Sequence, residues 1–233
     1  MFIKMNAIER NIKNVKENIA KAAEKAGKNP EEITLVAVSK TVEPERIREA
    51  LRHGIEIIGE NRIQEAEEKF KKIPEKSEKH LVGHLQTNKA KKAVELFDMI
   101  QSVDSLRLAE EISKRARQKN KIMDVLVEVN TSAESTKYGL EPDGVMDFMK
   151  QISNLEGIKV KGLMTIGLFS SDMEKVRPCF IRLKKIFDEL KEKEIPGIEM
   201  KYLSMGMTQD YEVAIEEGAN MVRIGTAIFG KRE

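Results

Sequence analysis

Three places in this sequence carry residue types that could do chemistry together. Lys40 follows the short apolar run Ile33-Thr34-Leu35-Val36-Ala37-Val38 by two residues. An amine at the end of a buried strand is partly desolvated, which lowers its pKa and makes it available for a Schiff base. On residue type alone, an exposed surface lysine is the commoner case. Two glycine-containing turns, Ser204-Met205-Gly206-Met207-Thr208 and Arg223-Ile224-Gly225-Thr226-Ala227, change that balance. Glycine lets backbone approach an anion closely, N–H groups at the start of a following helix bind it, and Ser and Thr hydroxyls add donors. Either turn alone is also an ordinary strand-to-helix connection. Both together, opposite an amine, suggest a ligand that is an aldehyde and a phosphate at once.

Groups so far apart in the chain need a scaffold that gathers them. Ile8, Ile12, Val15, Ile19 and Ala22 or Ala23 recur at spacings of three and four, predicting an amphipathic N-terminal helix within residues 1–27 that Gly27 ends. Strand-like runs follow at 33–38, 55–58, 80–83, 99–103, 122–130, 158–166, 198–203 and 219–224. Helical patterns separate them. Pro44 opens one, Asp104 reads as the N-cap of another, Ser171 to Glu174 has capping-box spacing, and Thr208 reads as a cap before Val213 and Ile215. Eight strands in strict alternation with helices imply parallel pairing and right-handed crossovers. The expected fold is α/β, a single (β/α)8 TIM-type barrel with an extra N-terminal helix, occupying residues 1–233 as one domain. An open doubly wound sheet is the alternative. Lys159, Lys161, Glu199 and Lys201 place charge in strands six and seven, where it belongs at exposed strand entrances. Functional groups of such a barrel gather where strands end, which singles out Lys40, Asn61, His84, Asn130, Met164, Ser204 and Arg223.

Composition narrows the possibilities. Apolar residues make up 40% with only 5% aromatic and no Trp, so the core must be aliphatic. Lys and Arg number 41 against 39 Asp and Glu, a net charge of +2 that gives no reason to expect nucleic acid or an acidic membrane as partner. Cys179 is alone and cannot form an internal disulfide, and it reads as a small buried hydrophobe. Nothing is spaced as a metal site. The N-terminus lacks the apolar centre of a signal peptide, and no run approaches the ~18 apolar residues of a membrane span. A cytoplasmic protein is expected.

Longer motifs add specificity. They are Ala37-Val38-Ser39-Lys40-Thr41, Gly59-Glu60-Asn61-Arg62-Ile63-Gln64-Glu65, the stretch from His80 through Gly83-His84-Leu85-Gln86-Thr87-Asn88-Lys89, Gly162 to Ile166, Leu203 to Met207, and Val222 to Gly230. In this order, over nearly the whole chain, the sequence resembles the pyridoxal phosphate (PLP) homeostasis proteins, relatives of the N-terminal barrel of alanine racemase. The resemblance implies PLP as cofactor, carried by Lys40 as a Schiff base. It implies that Ser204, Gly206, Gly225 and Thr226 hold the phosphate, that Arg223 sits by the pyridine nitrogen, and that Asn61, His84 and Met164 line the ring's pocket. Read from the residues alone, His84 packs equally well beside the barrel mouth, Met164 serves in the core, and Glu60 acts as a structural hydrogen-bond partner. One departure is visible: Ala133 stands where the family usually has Gly, which leaves open the shape of loop 130–137 and the role of Lys137.

The electron-withdrawing power of PLP depends on a protonated ring nitrogen, which an arginine opposes because it stays charged and cannot accept that proton. Racemases of this resemblance also use Arg there, but a second, β-rich domain follows their barrel, whereas this chain ends at Glu233. Tyr138, Tyr202 and Tyr211 are the only tyrosines, and no second base is evident. The expectation is therefore a monomeric, non-catalytic PLP carrier or regulator, with no residue assigned a catalytic role, that passes the cofactor to apo PLP-dependent enzymes. A minor amino-acid racemase or related PLP enzyme is the alternative, and a sugar-phosphate barrel enzyme without PLP a third.

Overall fold

The computed structural model describes residues 6–73, 76–134 and 136–230. Residues 1–5 of the expected N-terminal helix region, Pro74 and Glu75 of the polar 71–79 segment, Ser135 of the 131–140 loop and residues 231–233 lie outside the described residues. Helix α1 (Ala7–Lys25) begins where the Asn6 side chain accepts the Glu9 N–H at 2.7 Å. It buries the stripe Ile8, Ile12, Val15, Ile19, Ala22 and Ala23 against the last elements of the chain, and Asn11 reaches the Ile228 carbonyl at 3.0 Å.

Strands β1 (Thr34–Val38), β2 (Ile57–Glu60), β3 (Glu78–Leu81), β4 (Met99–Val103), β5 (Met123–Glu128), β6 (Ile158–Met164), β7 (Ile198–Ser204) and β8 (Met221–Ile224) pair in parallel, in sequence order. β8 returns to β1, with Val36 opposite Arg223, and closes the barrel. Around it lie α2 (Pro44–Arg52), α3 (Ile63–Phe70), α4 (Ala90–Leu96), α5 (Leu106–Gln118), α6 (Val145–Ile152), α7 (Met173–Lys193), α8 (Tyr211–Glu216) and the short α9 (Thr226–Phe229). The expected barrel and its extra helix are observed.

Alternation along each strand divides the core in two. Outward residues such as Ala37, Leu203, Val222 and Ile224 join the large aliphatic layer beneath the helices. Inward residues Val36, Val82, Met99, Leu126, Met164 and Met221 fill the bore. Register shifts accompany β4, β5, β6 and β7, and at Gly162, with φ 143°, a side chain would collide with the Tyr202 carbonyl. The charges in β6 and β7 sit at the strand entrances as expected: Lys159 and Lys161 meet Glu199 at 2.9 and 2.8 Å. Their hydrogen bonds hold the Glu199 carboxyl down at about 2.

Several boundaries differ from expectation. β3 spans Glu78–Leu81, and just beyond it Gly83 packs so closely on the Asn61 backbone that a Cβ would lie 2.4 Å from the Asn61 carbonyl. Ser105, not Asp104, precedes α5, and Asp172 caps α7 one residue later than the Ser171 reading. Asp210 rather than Thr208 stands before α8. Asp104 and Thr208 are drawn instead into the strand-end loops described next.

Candidate functional site

β1 runs out at Val38, and carboxylates from the next unit hold the residues on either side of Lys40. Ser39 is wholly buried; its hydroxyl donates to Glu60 at 2.7 Å and its carbonyl accepts from the Lys69 ammonium at 2.5 Å. The Thr41 N–H donates to Glu65. Lys69, on the inner face of α3, binds Glu60 at 2.9 Å and Glu65 at 2.6 Å. One buried cation thus gathers both carboxylates, and the backbone around Lys40 is pinned from both sides. Thr41 adopts φ 61°, a left-handed conformation that costs a β-branched residue on the order of 1–3 kcal/mol and persists only where its surroundings dictate it. Burial pushes the Glu60 carboxyl above its usual range, opposed by the bonds from Ser39 and Lys69.

Lys40 lines a cavity of about 510 Å³ at the C-terminal end of the barrel, a size suited to a cofactor-sized molecule. Asn61, Arg223, Gly225 and Thr226 share its wall, with Val38 and Val82 as apolar flanks. The segment after β6 supplies an apolar rim in which Phe169 is 84% exposed. Asn61 Oδ1 is buried with no hydrogen-bond partner among the described residues. Such an orphaned acceptor costs about 1–3 kcal/mol, and a donor on a bound ligand would relieve it. Arg223 is buried and donates to the Ser204 hydroxyl at 2.6 Å and the Thr165 carbonyl at 2.7 Å. Burial pushes its guanidinium down to about 10, opposed by Glu128 and Asp210, so it stays charged at neutral pH.

The sequence candidates divide. Lys40, Asn61, Arg223, Gly225 and Thr226 come together on the cavity wall. Ser204 does not: its hydroxyl donates to Gln101 at 2.7 Å while accepting from Arg223, which leaves it no hydrogen for an anion in this arrangement. Gly206, with φ 93°, packs where a Cβ would lie 2.6 Å from that of Ala214, and so lets the loop carry Met207 and Thr208 to the wall. Met164 is buried in the bore. His84 faces Asp104 at 3.3 Å and stacks on Tyr138, ring centroids 3.6 Å apart. Asn130 organises its own loop through the Glu134 carbonyl and the Ser132 hydroxyl. Ala133 takes the left-handed φ of 58° that a glycine would adopt more easily, and Lys137 donates to the Gly167 carbonyl at 2.9 Å.

Two groups escaped the sequence reading. Lys69 looks like one more surface lysine, yet it shares the helical stripe of Ala66 and Ile73 and follows Glu65 by four. Glu128 interrupts the apolar run of β5 and shares the inward phase of Leu126. It is buried, and its Oε2 has no partner among the described residues. Burial, reinforced by Asp104 and opposed by Arg223, raises its carboxyl to about 7. Among the described residues no group of three or more His, Cys, Asp or Glu could hold a metal, and no helix is long and apolar enough to cross a membrane.

A family model described as alanine racemase, N-terminal domain, matches residues 5–233. The pyridoxal phosphate homeostasis protein of Aquifex aeolicus is 44% identical over 230 residues, covering 98% of this chain and 100% of that protein. Among solved structures, an unknown protein from Bifidobacterium adolescentis superposes with a TM-score of 0.91 at 39% identity, covering 95% of this chain and 94% of the other. PipY of Synechococcus elongatus, solved with PLP bound, superposes with a TM-score of 0.81 at 34% identity, covering 91% and 100%.

Two predictions follow from the buried charges. Lys69→Met leaves Glu60 and Glu65 without their cation and should destabilise the fold by roughly 3–5 kcal/mol in urea unfolding at neutral pH. A raised carboxyl pKa means that the Glu128 contribution is fully present below its unfolded pKa and is lost as pH rises toward about 7. Glu128→Gln should therefore gain stability over the wild type between pH 5 and 8, by roughly 3 kcal/mol at the upper end, with the two curves running parallel above.

Proposed function

The chain belongs to the alanine racemase N-terminal domain family and, within it, to the pyridoxal phosphate homeostasis proteins, and from that membership we propose that it binds PLP covalently at Lys40 and keeps it in reserve. The observation that carries this reading is one cavity wall bearing an amine, an orphaned amide oxygen, a buried guanidinium and the Gly225-Thr226 turn. These groups fit the cofactor. Lys40 supplies the nucleophile, Thr226 and the backbone of its turn supply donors for a phosphate, Asn61 gains a partner, and Val38 and Val82 flank a flat ring. Ser204 and Gly206 act from behind the wall, through Arg223 and through the loop to Thr208. Met164 packs in the bore cluster with Val82, and His84 stands against Asp104 and Tyr138, off the cavity wall.

Bound PLP supplies an aldehyde that captures an amine and a ring whose electron demand rises when its nitrogen is protonated. Arg223 works against that protonation: even at about 10 its guanidinium remains a donor near neutral pH and has no lone pair to offer. A carrier or regulator, with no catalytic residue, fits this better than an enzyme. We extend the reading to a cytoplasmic monomer, one domain over residues 1–233, that delivers PLP to apo-enzymes. The match to the alanine racemase N-terminal domain supports a second reading, a minor amino-acid racemase or related PLP enzyme.

Titration with PLP should produce a visible band at longer wavelength than that of free PLP in the wild type, whereas Lys40→Ala should leave the spectrum of the free cofactor. Thr226→Ala should keep the band while PLP retention in equilibrium dialysis falls roughly tenfold, the loss of one hydrogen bond to a charged group. A broad amino-acid panel should show no racemization. Substantial turnover abolished by Lys40→Ala would establish the second reading instead.

A further inference from the structure

Valine, leucine and methionine line most of the bore of the barrel, and a continuous polar thread crosses it. It starts at the cavity with Arg223 on β8, whose Nη1 donates to Ser204 Oγ on β7 at 2.6 Å. The Ser204 hydroxyl donates across the bore to Gln101 Oε1 on β4 at 2.7 Å. Gln101 Nε2 lies 2.8 Å from Nδ1 of His80 on β3, with Met221 Sδ at 3.3 Å as a weak further acceptor. His80 Nε2 lies 2.7 Å from a carboxylate oxygen of Glu78, which stands half-exposed at the opposite end of the barrel. Ser204, Gln101 and His80 are completely buried.

The direction of every bond in this thread follows from its two ends. A guanidinium can only donate, so Ser204 Oγ accepts from it and must send its single hydrogen onward. Gln101 therefore presents its oxygen to Ser204 and its amide hydrogens to His80. Nδ1 of His80 must then be a bare acceptor, which puts the ring hydrogen on Nε2, facing the carboxylate. Reversing any one link sets two donors or two acceptors against each other in a dry interior, where nothing else can satisfy them.

We propose that Ser204, Gln101 and His80 are positioning residues: a relay, anchored at its far end by the Glu78 carboxylate that sets the His80 tautomer, which holds the Arg223 guanidinium in one orientation at the cavity wall. Arg223 has one further anchor, the Thr165 carbonyl. A guanidinium held at two nitrogens cannot rotate away from the ring of a bound ligand, whereas one held at a single point can. The relay's role toward PLP rests on the function proposed above, but its internal order does not.

The test uses the full-length protein as wild type, Ser204→Ala, Ser204→Thr and Gln101→Leu. Nitrogen NMR of ¹⁵N-histidine-labelled protein without PLP should show His80 in the wild type as one neutral tautomer, with Nδ1 unprotonated and Nε2 protonated. Ser204→Ala frees the Gln101 amide to turn over, so the His80 Nδ1 signal should move toward that of a ring nitrogen without a hydrogen-bond donor although residue 204 does not touch the ring, while Glu78 keeps the hydrogen on Nε2; Ser204→Thr should restore the wild-type pattern. On loading with PLP, Ser204→Ala and Gln101→Leu should shift the visible band and weaken retention roughly tenfold, with Ser204→Thr again close to wild type. Ser204→Ala removes a single oxygen, so it carries the test if Gln101→Leu does not fold. A protonated Nδ1 in the wild type, or a His80 spectrum indifferent to residue 204, overturns the relay. A visible band unchanged in both disruptive variants overturns its role at the cofactor. No band beyond that of free PLP in the wild type overturns the function reading, and with it that role, while the nitrogen spectra still decide whether the relay exists.

Discussion

The placement of Lys40 depends on a different lysine. Lys69 lies buried between Glu60 and Glu65 and contacts the Ser39 carbonyl, so its ammonium organises the end of β1, the end of β2 and the inner face of α3 together. Burying an isolated charge is strongly unfavourable, and a single ion pair in such a place is near break-even. Here the cation has three oxygen partners, and both carboxylates also take donors from Ser39 and Thr41 on either side of Lys40. The arrangement is therefore better read as a device for fixing the backbone at one point than as a source of net stability. The strained Thr41 is what that fixing holds in place.

The rest of the barrel mouth follows the same rule, that polar groups in an aliphatic interior must answer one another. Arg223 reaches the cavity because Ser204 and Thr165 hold it. Asp210 accepts the Met207 N–H at 2.6 Å and shapes the loop that brings Thr208 to the wall. Among the atoms that break the rule are Glu60 Oε2, Asn61 Oδ1 and Glu128 Oε2, each buried without a hydrogen-bond partner among the described residues. Sites that bind something are where such unanswered groups are expected.

The architecture was legible in the sequence because its signals were local. The runs at β1 and β5 are short, β-branched and apolar, and the α1 stripe has clean helical spacing. Edges were less legible, since they depend on contacts between distant segments: just beyond β3 Gly83 meets the Asn61 backbone, and Asp104 leaves its expected cap to face His84. For the site, position at a strand end found Lys40, Asn61, Arg223 and the Gly225-Thr226 turn. It could not tell which side chains turn into the bore. Ser204 and Met164 share the inward phase of their strands with the core, and that phase, not proximity to the mouth, decides what they touch. Lys69 was hidden by composition, one cation among 41.

The proposed function requires that, among the chain's many lysines, only Lys40 captures the aldehyde. Loading the protein with stoichiometric PLP, reducing with borohydride and mapping the mass increment by peptide sequencing tests it directly. A single modified peptide with the increment on Lys40 is expected. An increment on Lys69 or Lys137, or one scattered over the surface lysines with Lys40 unmodified, would contradict it.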